Sequence, residues 1–227
     1  MEQRTYHQYC ATARTLDVVG ERWTLLLVRE LLTGPKRFGD LQRNLRGLGT
    51  GLLAARLKHL EQQGIVRKTV LPPPARTAAY VLTAAGDELV PVVLSLAQWG
   101  MRWAMADPRD DETFEPGWAV LGLKARFDRG AATGIQAVCE FRIGDEVFHA
   151  RIHDCTIETN YGPAQQPDFV LTTDYRTFRD IAASRTTLTQ AVATQQAAIE
   201  GDGTLLRQLS SLFPPVEPQP RLPRLPR

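Results

Sequence analysis

The chain has 227 residues, 43% hydrophobic and 23% charged, enough for two domains that each bury a core, and this composition excludes wholesale disorder. Three cysteines, Cys10, Cys139 and Cys155, form an odd set without CxxC spacing, which argues against a disulfide framework or a structural zinc site and fits a reducing cytoplasm. The net charge of +2 hides a division: residues 1–105 carry 14 Lys+Arg against 8 Asp+Glu, and residues 106–227 carry 13 against 17. The first half would attract a polyanion and the second would not.

The opening "MEQRTYHQYC" lacks the apolar core of a signal peptide, and the apolar run Leu89–Ala106 is interrupted by Gln98 and Arg102. Neither secretion nor a membrane span is expected. "TARTLDVVGERWTLLLVRELLTG" repeats apolar residues at helical spacing, breaks near Gly20, resumes at about Trp23 and stops at Gly34-Pro35. "KRFGDLQRNLRGL" predicts a short helix with Phe38, Leu41 and Leu45 on one face. In "GTGLLAARLKHLEQQG", Thr50 is placed to cap a helix that stacks Leu53, Leu57 and Leu60 and ends at Gly64. Its other face carries Gly51, Leu52, Ala55, Lys58 and His59, with Arg56 on the flank.

Two β-prone runs, Ile65–Val70 and Ala78–Leu82, flank "LPPPART" and predict a hairpin with a stiff tip. "DELVPVVLSLAQWGMRWAMA" predicts a long helix with Pro91 in its first turn. Leu89, Val92, Val93, Leu96, Trp99 and Trp103 spread over more than one face of it, so a helix-to-helix dimer contact is expected.

A helix, a turn, a second helix with an outward face and a basic hairpin make a winged helix-turn-helix, whose second helix enters the major groove while the hairpin grips phosphates. No acid lies between Asp40 and Glu61 or between Glu61 and Asp87, which leaves both elements cationic. The competing reading, a solvated helix and an ordinary surface hairpin, does not account for that coincidence. "CATARTLDVVGERWTLLLVRELLTGPKRFGDLQR", "LLAARLKHLEQQGIVRK" and "AAYVLTAAGDELVPVVLSLAQWG" together resemble the HxlR-type bacterial transcriptional regulators from about Cys10 to Trp103. The resemblance implies a homodimer that binds double-stranded DNA at a pseudo-palindromic operator. It places Thr50, Gly51 and Leu52 at the opening of the recognition helix, Arg56, Lys58 and His59 within reach of DNA, Arg67, Lys68 and Arg76 on the wing, and Arg37 and Arg43 nearby. Some members of this family sense oxidants through a cysteine just before the first helix, where Cys10 stands. Cys10 near Arg14 at a helix start is thus either a redox sensor or a small residue packed at the dimer contact.

"ADPRDDETFEPG" (106–117) predicts an acidic linker, and "PPVEPQPRLPRLPR" (214–227) a proline-rich, extended tail. Between them, "WAVLGLKARF", "IQAVCEFRIGDEVFHARIHDCTIETNYG" and "PDFVLTTD" alternate as strands, with Phe148, Ala150 and Ile152 on one face and His149, Arg151 and His153 on the other. "YRTFRDIAAS" and "LTQAVATQQAAIEGDGTLLRQLSSLF" predict helices, the second interrupted at "IEGD". The expected fold class is α+β: a winged helix-turn-helix domain at 1–105, then at 118–213 an α+β domain with an antiparallel sheet covered by helices.

"PDFVLTTDYRTFRDIAAS" and "AIEGDGTLLRQLSSLF" resemble the sterol-carrier-protein-like domain, whose fold encloses an apolar tunnel. The resemblance implies a hydrophobic small-molecule effector and makes Phe141, Phe148, Phe178, Ile181, Leu188, Val192, Ile199, Leu205, Leu209 and Phe213 candidate wall residues, although core residues would look the same in sequence. His149 and His153 stand about 13 Å apart on an extended strand, too far to share a metal ion. There is no GxSxG, HExxH, P-loop or GxGxxG, so neither a cofactor nor enzymatic activity is expected. The sequence thus predicts a one-component, effector-modulated regulator; a thiol-responsive regulator acting through Cys10 and a lipid or small-molecule carrier are the alternatives.

Overall fold

The structure, a computed structural model, describes residues 5–105, 112–183, 185–201, 208–209 and 211–214. The chain separates into two compact units divided between Val93 and Leu94. Among the described residues no helix is long and apolar enough to cross a membrane.

The first unit contains α1 (Ala11–Val19), α2 (Thr24–Leu32), α3 (Phe38–Asn44), α4 (Thr50–Gln62), the hairpin of β1 (Val66–Val70) and β2 (Ala78–Leu82), and the one-turn α5 (Ala84–Asp87). α6 (Val90–Trp103) begins in this unit and crosses the division. The core forms because apolar residues recur one helical turn apart: Leu27, Val28 and Leu31 from α2 and Leu41 from α3 meet Leu53, Leu57 and Leu60 from α4. Each such leucine, fully buried, contributes about 2 kcal/mol of transfer free energy.

α4 stops at Gly64, whose positive φ of +71° suits a residue without Cβ. The Ile65 N–H donates to the Leu60 carbonyl at 2.9 Å and the Gly64 N–H to that of Glu61 at 3.1 Å, a Schellman ending that turns the chain straight into β1. Thr83 locks the far end of the hairpin: its hydroxyl donates to the Gly64 carbonyl and accepts from the Gly86 N–H that opens α5. Lys36 and Tyr80 exchange backbone hydrogen bonds, so one residue of the α2–α3 connection flanks β2.

The second unit contains α7 (Pro116–Arg126), β3 (Gln136–Ile143), β4 (Glu146–His153), β5 (Thr156–Tyr161), β6 (Phe169–Thr173), α8 (Tyr175–Ala182), α9 (Leu188–Ala193) and β7 (Ala197–Gly201). Its five-stranded sheet runs β5-β4-β3-β6-β7. Ala137, Cys139, Phe141 and Ile143 from β3, Phe148, Ala150 and Ile152 from β4, and Phe169 and Leu171 from β6 share one face and pack with Ala119, Val120, Phe178, Ala191, Leu212 and Phe213.

Three sequence expectations change. "WAVLGLKARF" is helical in α7, not a strand: Pro116 starts it at a position where the missing N–H costs nothing, and Val120, Leu121 and Ala125 recur at helical spacing. Ala197–Gly201, which covers the expected end of a helix and most of its expected interruption at "IEGD", is β7, because the outer edge of β6 has backbone groups that an adjacent strand satisfies. β3 and β6 pair in parallel, so the sheet is mostly rather than wholly antiparallel. On the second face Glu140 and His149, paired across β3 and β4, are both buried.

The cover over that second face comes from residues 162–168, which join β5 to β6. His149 Nδ1–H donates to the Gly162 carbonyl, and the Ala164 N–H donates to Glu140, whose other oxygen accepts from Arg142 Nε. Residues 106–111 of the expected linker and 215–227 of the expected tail lie outside the described residues, and α7 begins within the stretch expected to be linker.

Candidate nucleic-acid interface

α4 buries Leu53, Leu57 and Leu60 and leaves a narrow stripe one turn apart on its free side: Gly51, Ala55, Lys58 and Gln62. Glycine and alanine let the backbone come near a partner, and Lys58 supplies one cation with no ion pair among the described residues. Leu52 beside them is partly exposed. β1 follows after three residues and exposes Arg67 and Lys68. Lys68 Nζ lies 3.3 Å from the Glu61 carboxylate and over the Tyr80 ring at 5.7 Å, which holds its charge beside α4. Arg76 stands exposed at the hairpin tip. Arg37 is exposed at the start of α3, and Arg43, also exposed, pairs with Asp40.

Three expected DNA residues are occupied within the fold. Thr50 does not cap α4: Gly49 is the N-cap, and the Thr50 hydroxyl accepts from Gln42 Nε2 at 2.6 Å. Arg56, with its side chain only 16% exposed, donates through Nη2 to Glu21 at 2.8 Å. His59 Nε2–H donates to the Val18 carbonyl at 3.1 Å. The partners Glu21, Val18 and Gln42 lie 35, 41 and 8 residues away in the chain. No local spacing marks them, which is why the sequence did not single them out.

In the second unit the candidate wall residues form a packed core. Phe141, Phe148, Phe178, Leu209 and Phe213 are buried in one cluster, and Ile181, Leu188, Val192 and Ile199 pack against it; Leu205 lies outside the described residues. Phe141 and Phe148 stack at 4.9 Å between centroids, and Phe178 meets Phe148 edge-on at 6.2 Å. An open hollow of about 440 Å³ lies elsewhere, between Phe114, Glu115, Glu146, Tyr175, Arg176 and Arg179. Among the described residues no three His, Cys, Asp or Glu side chains gather closely enough to hold a metal ion.

The three thiols are free and differ in environment. Cys10 is exposed at the N-cap of α1, where no capping bond of ordinary geometry forms, yet the N–H groups of Ala13 and Thr12 hold its thiol below the usual cysteine value. Burial, with the Asp168 carboxylate nearby, pushes Cys139 up to about 12.

Residues 18–108 match the HxlR-like helix-turn-helix family, and residues 123–219 match the alkyl sulfatase C-terminal family. The chain is 33% identical over 90 residues to the uncharacterized HTH-type transcriptional regulator YvaP of Bacillus subtilis, covering 40% of this chain and 83% of that protein. It is 35% identical over 94 residues to the uncharacterized HTH-type transcriptional regulator sll1512 of Synechocystis, covering 41% of this chain and 70% of that one. A solved structure, the reduced form of the transcriptional regulator YodB from Bacillus subtilis, is 32% identical, with 45% of this chain and 100% of that chain covered at a TM-score of 0.37.

Proposed function

The chain belongs to the HxlR-like helix-turn-helix family of DNA-binding transcriptional regulators, and we propose that it reads a pseudo-palindromic operator as a homodimer under control of its second unit. The observation that carries the DNA reading is the free face of α4, which exposes Gly51, Leu52 and Lys58 on the helix that leads directly into a wing exposing Arg67, Lys68 and Arg76. Phosphate contacts from Lys58, Arg67 and Arg76 would set the register, and the small residues of α4 would let it approach base edges. Arg37 and Arg43 extend the cationic surface. Dimerisation is supported by α6, which exposes Val92, Leu96 and Trp99 one turn apart, the last at 52%.

The regulator we propose has its reader in residues 1–105 and its sensor in 118–213, and works in the cytoplasm. The sensor reading is supported by the sequence resemblance of residues 118–213 to the sterol-carrier-protein-like domain. A hydrophobic effector has to part the Phe141, Phe148 and Phe178 cluster to enter, so it would bind an opened state better than the packed one. The buried polar groups Glu140, His149, Thr173 and Thr177 are each bonded within the fold, which favours binding over catalysis for this unit.

Fluorescence anisotropy with a labelled duplex from the region upstream of the protein's own gene, against an unrelated duplex at physiological salt, tests the reading. Nanomolar preference for the upstream duplex is the expected result. Equal, steeply salt-dependent binding to both would leave only a polyanion surface, and the carrier alternative would take its place.

A thiol-responsive switch is the second reading, favoured by the exposure of Cys10 and its lowered pKa. A lowered pKa brings the thiolate in at lower pH than for an ordinary cysteine, so alkylation with iodoacetamide at neutral pH is expected to label Cys10 first. Cys139, buried and pushed up to about 12, is expected to react only on unfolding. Mass spectrometry of a time course reads the order, and equal labelling of Cys10 and Cys155 removes the special status of Cys10.

A further inference from the structure

We infer that Glu21, on the turn between α1 and α2, is a positioning residue for the DNA reader: its carboxylate holds Arg56 and so sets the roll of α4 about its own axis. The inference rests on the DNA reading above and goes beyond it, because Glu21 is acidic and, among the described residues, bonds to no expected DNA position except Arg56.

The geometry follows from helical periodicity. Successive residues turn by about 100°, so Leu53, Leu57 and Leu60 define the core side of α4, and Gly51, Ala55, Lys58 and Gln62 the opposite side. Arg56 and His59 project from one flank between those two sides, where they hold Glu21 and the Val18 carbonyl. Thr50 projects from the other flank, where it accepts from Gln42 of α3. Three directional bonds on two flanks oppose rotation, which the leucine stripe alone, being non-directional, resists weakly. A roll of one residue's worth would exchange the Gly51–Lys58 stripe for a neighbouring one.

Arg56 is turned away from solvent in this arrangement. Its Nη2 meets Glu21, while its Nε is buried without a hydrogen-bond partner among the described residues. A guanidinium free to reach solvent or phosphate would not leave that donor unmade. Arg56 therefore acts through the pose of α4, and the loss of DNA affinity expected on replacing it comes from that pose and not from a phosphate contact.

The sign of one substitution separates this role from simple electrostatics. Removing an acid near a polyanion site tightens binding if the acid only repels DNA; removing a positioning acid weakens it. Glu21→Gln is nearly isosteric, and a pair this exposed on its acidic side, 43%, adds little to global stability, so the variant is expected to fold.

The probes are a short labelled duplex enriched by the wild-type protein from a random-sequence pool and an unrelated duplex of the same length, each titrated at two salt concentrations, with the melting temperature measured alongside. Expected are binding of Glu21→Gln to the enriched duplex weakened about fivefold, an unchanged slope of affinity against salt, unrelated-duplex binding held or tightened, and an unchanged melting temperature. The reciprocal variant Glu21→Arg with Arg56→Glu, which restores the pair at constant net charge, is expected to recover most of the preference. Equal or tighter binding of Glu21→Gln to the enriched duplex overturns the inference while the DNA reading stands, as does a reciprocal variant that folds and recovers nothing. A wild-type protein that enriches no sequence overturns the DNA reading, and the inference with it.

Discussion

The triple variant Lys58→Ala, Arg67→Ala, Arg76→Ala is expected to bind duplex DNA at least about a hundredfold more weakly near physiological salt and, with three cations lost from each protomer of the dimer, to lose about five units from the slope of log affinity against log salt. Each of these cations is exposed and has no ion pair among the described residues, so each is available to displace a counterion from a phosphate. None lies in the core, and the melting temperature is expected to hold. A salt series of anisotropy titrations measures both numbers. An unchanged slope would mean that the free face of α4 and the wing do not meet DNA. Arg56→Ala gives the contrast: affinity falls with the slope intact, because that guanidinium is engaged with Glu21.

The second large effect is in the other unit. Phe148→Ala is expected to cost about 3–5 kcal/mol of that unit's unfolding free energy. The ring is fully buried, stacks on Phe141 with 14° between planes and receives Phe178 edge-on, so its removal leaves a void that the sheet cannot collapse to fill. Urea unfolding followed by far-ultraviolet circular dichroism, with the two units treated as separate transitions, reads the cost. A cost well under 2 kcal/mol would show that Phe148 borders a standing cavity, and would move the sensor reading from an opened core to a preformed tunnel.

Much of the first unit was legible because its signals are local. Leu53, Leu57 and Leu60 announce the buried side of α4 by spacing alone, and Gly64 its end by the φ that only glycine takes cheaply. The same local logic found the hairpin strands, each within a residue of the observed bounds. It failed at Trp118–Phe127, where ten residues with apolar positions close together fit a period of 2 nearly as well as 3.6. It failed again at Ala197–Gly201, where two alanines favour a helix and Ile199 a strand, and the segment becomes a strand because β6 offers an edge.

The candidate site divides in the same way. Charge is additive along the chain, so the acid-free stretches around Arg43–Lys58 and Arg67–Arg76 marked the basic half, and the order of elements marked the winged helix. Which cations are free depends on neighbours brought together by folding. Lys58 and Arg56 stand two residues apart on one helix, yet Lys58 reaches solvent while Arg56 reaches Glu21, 35 residues earlier in the chain.

By itself, then, the sequence determined the class of fold, the family and the sign of the partner's charge, since periodicity, motif order and net charge survive without knowledge of any long-range contact. Only the tertiary structure decided the roll of α4, the parallel β3–β6 pairing and the closed core behind Phe148. Each of these rests on directional bonds or close packing between residues far apart in sequence, and such contacts acquire their energy only when the chain has already brought the partners within a few ångströms.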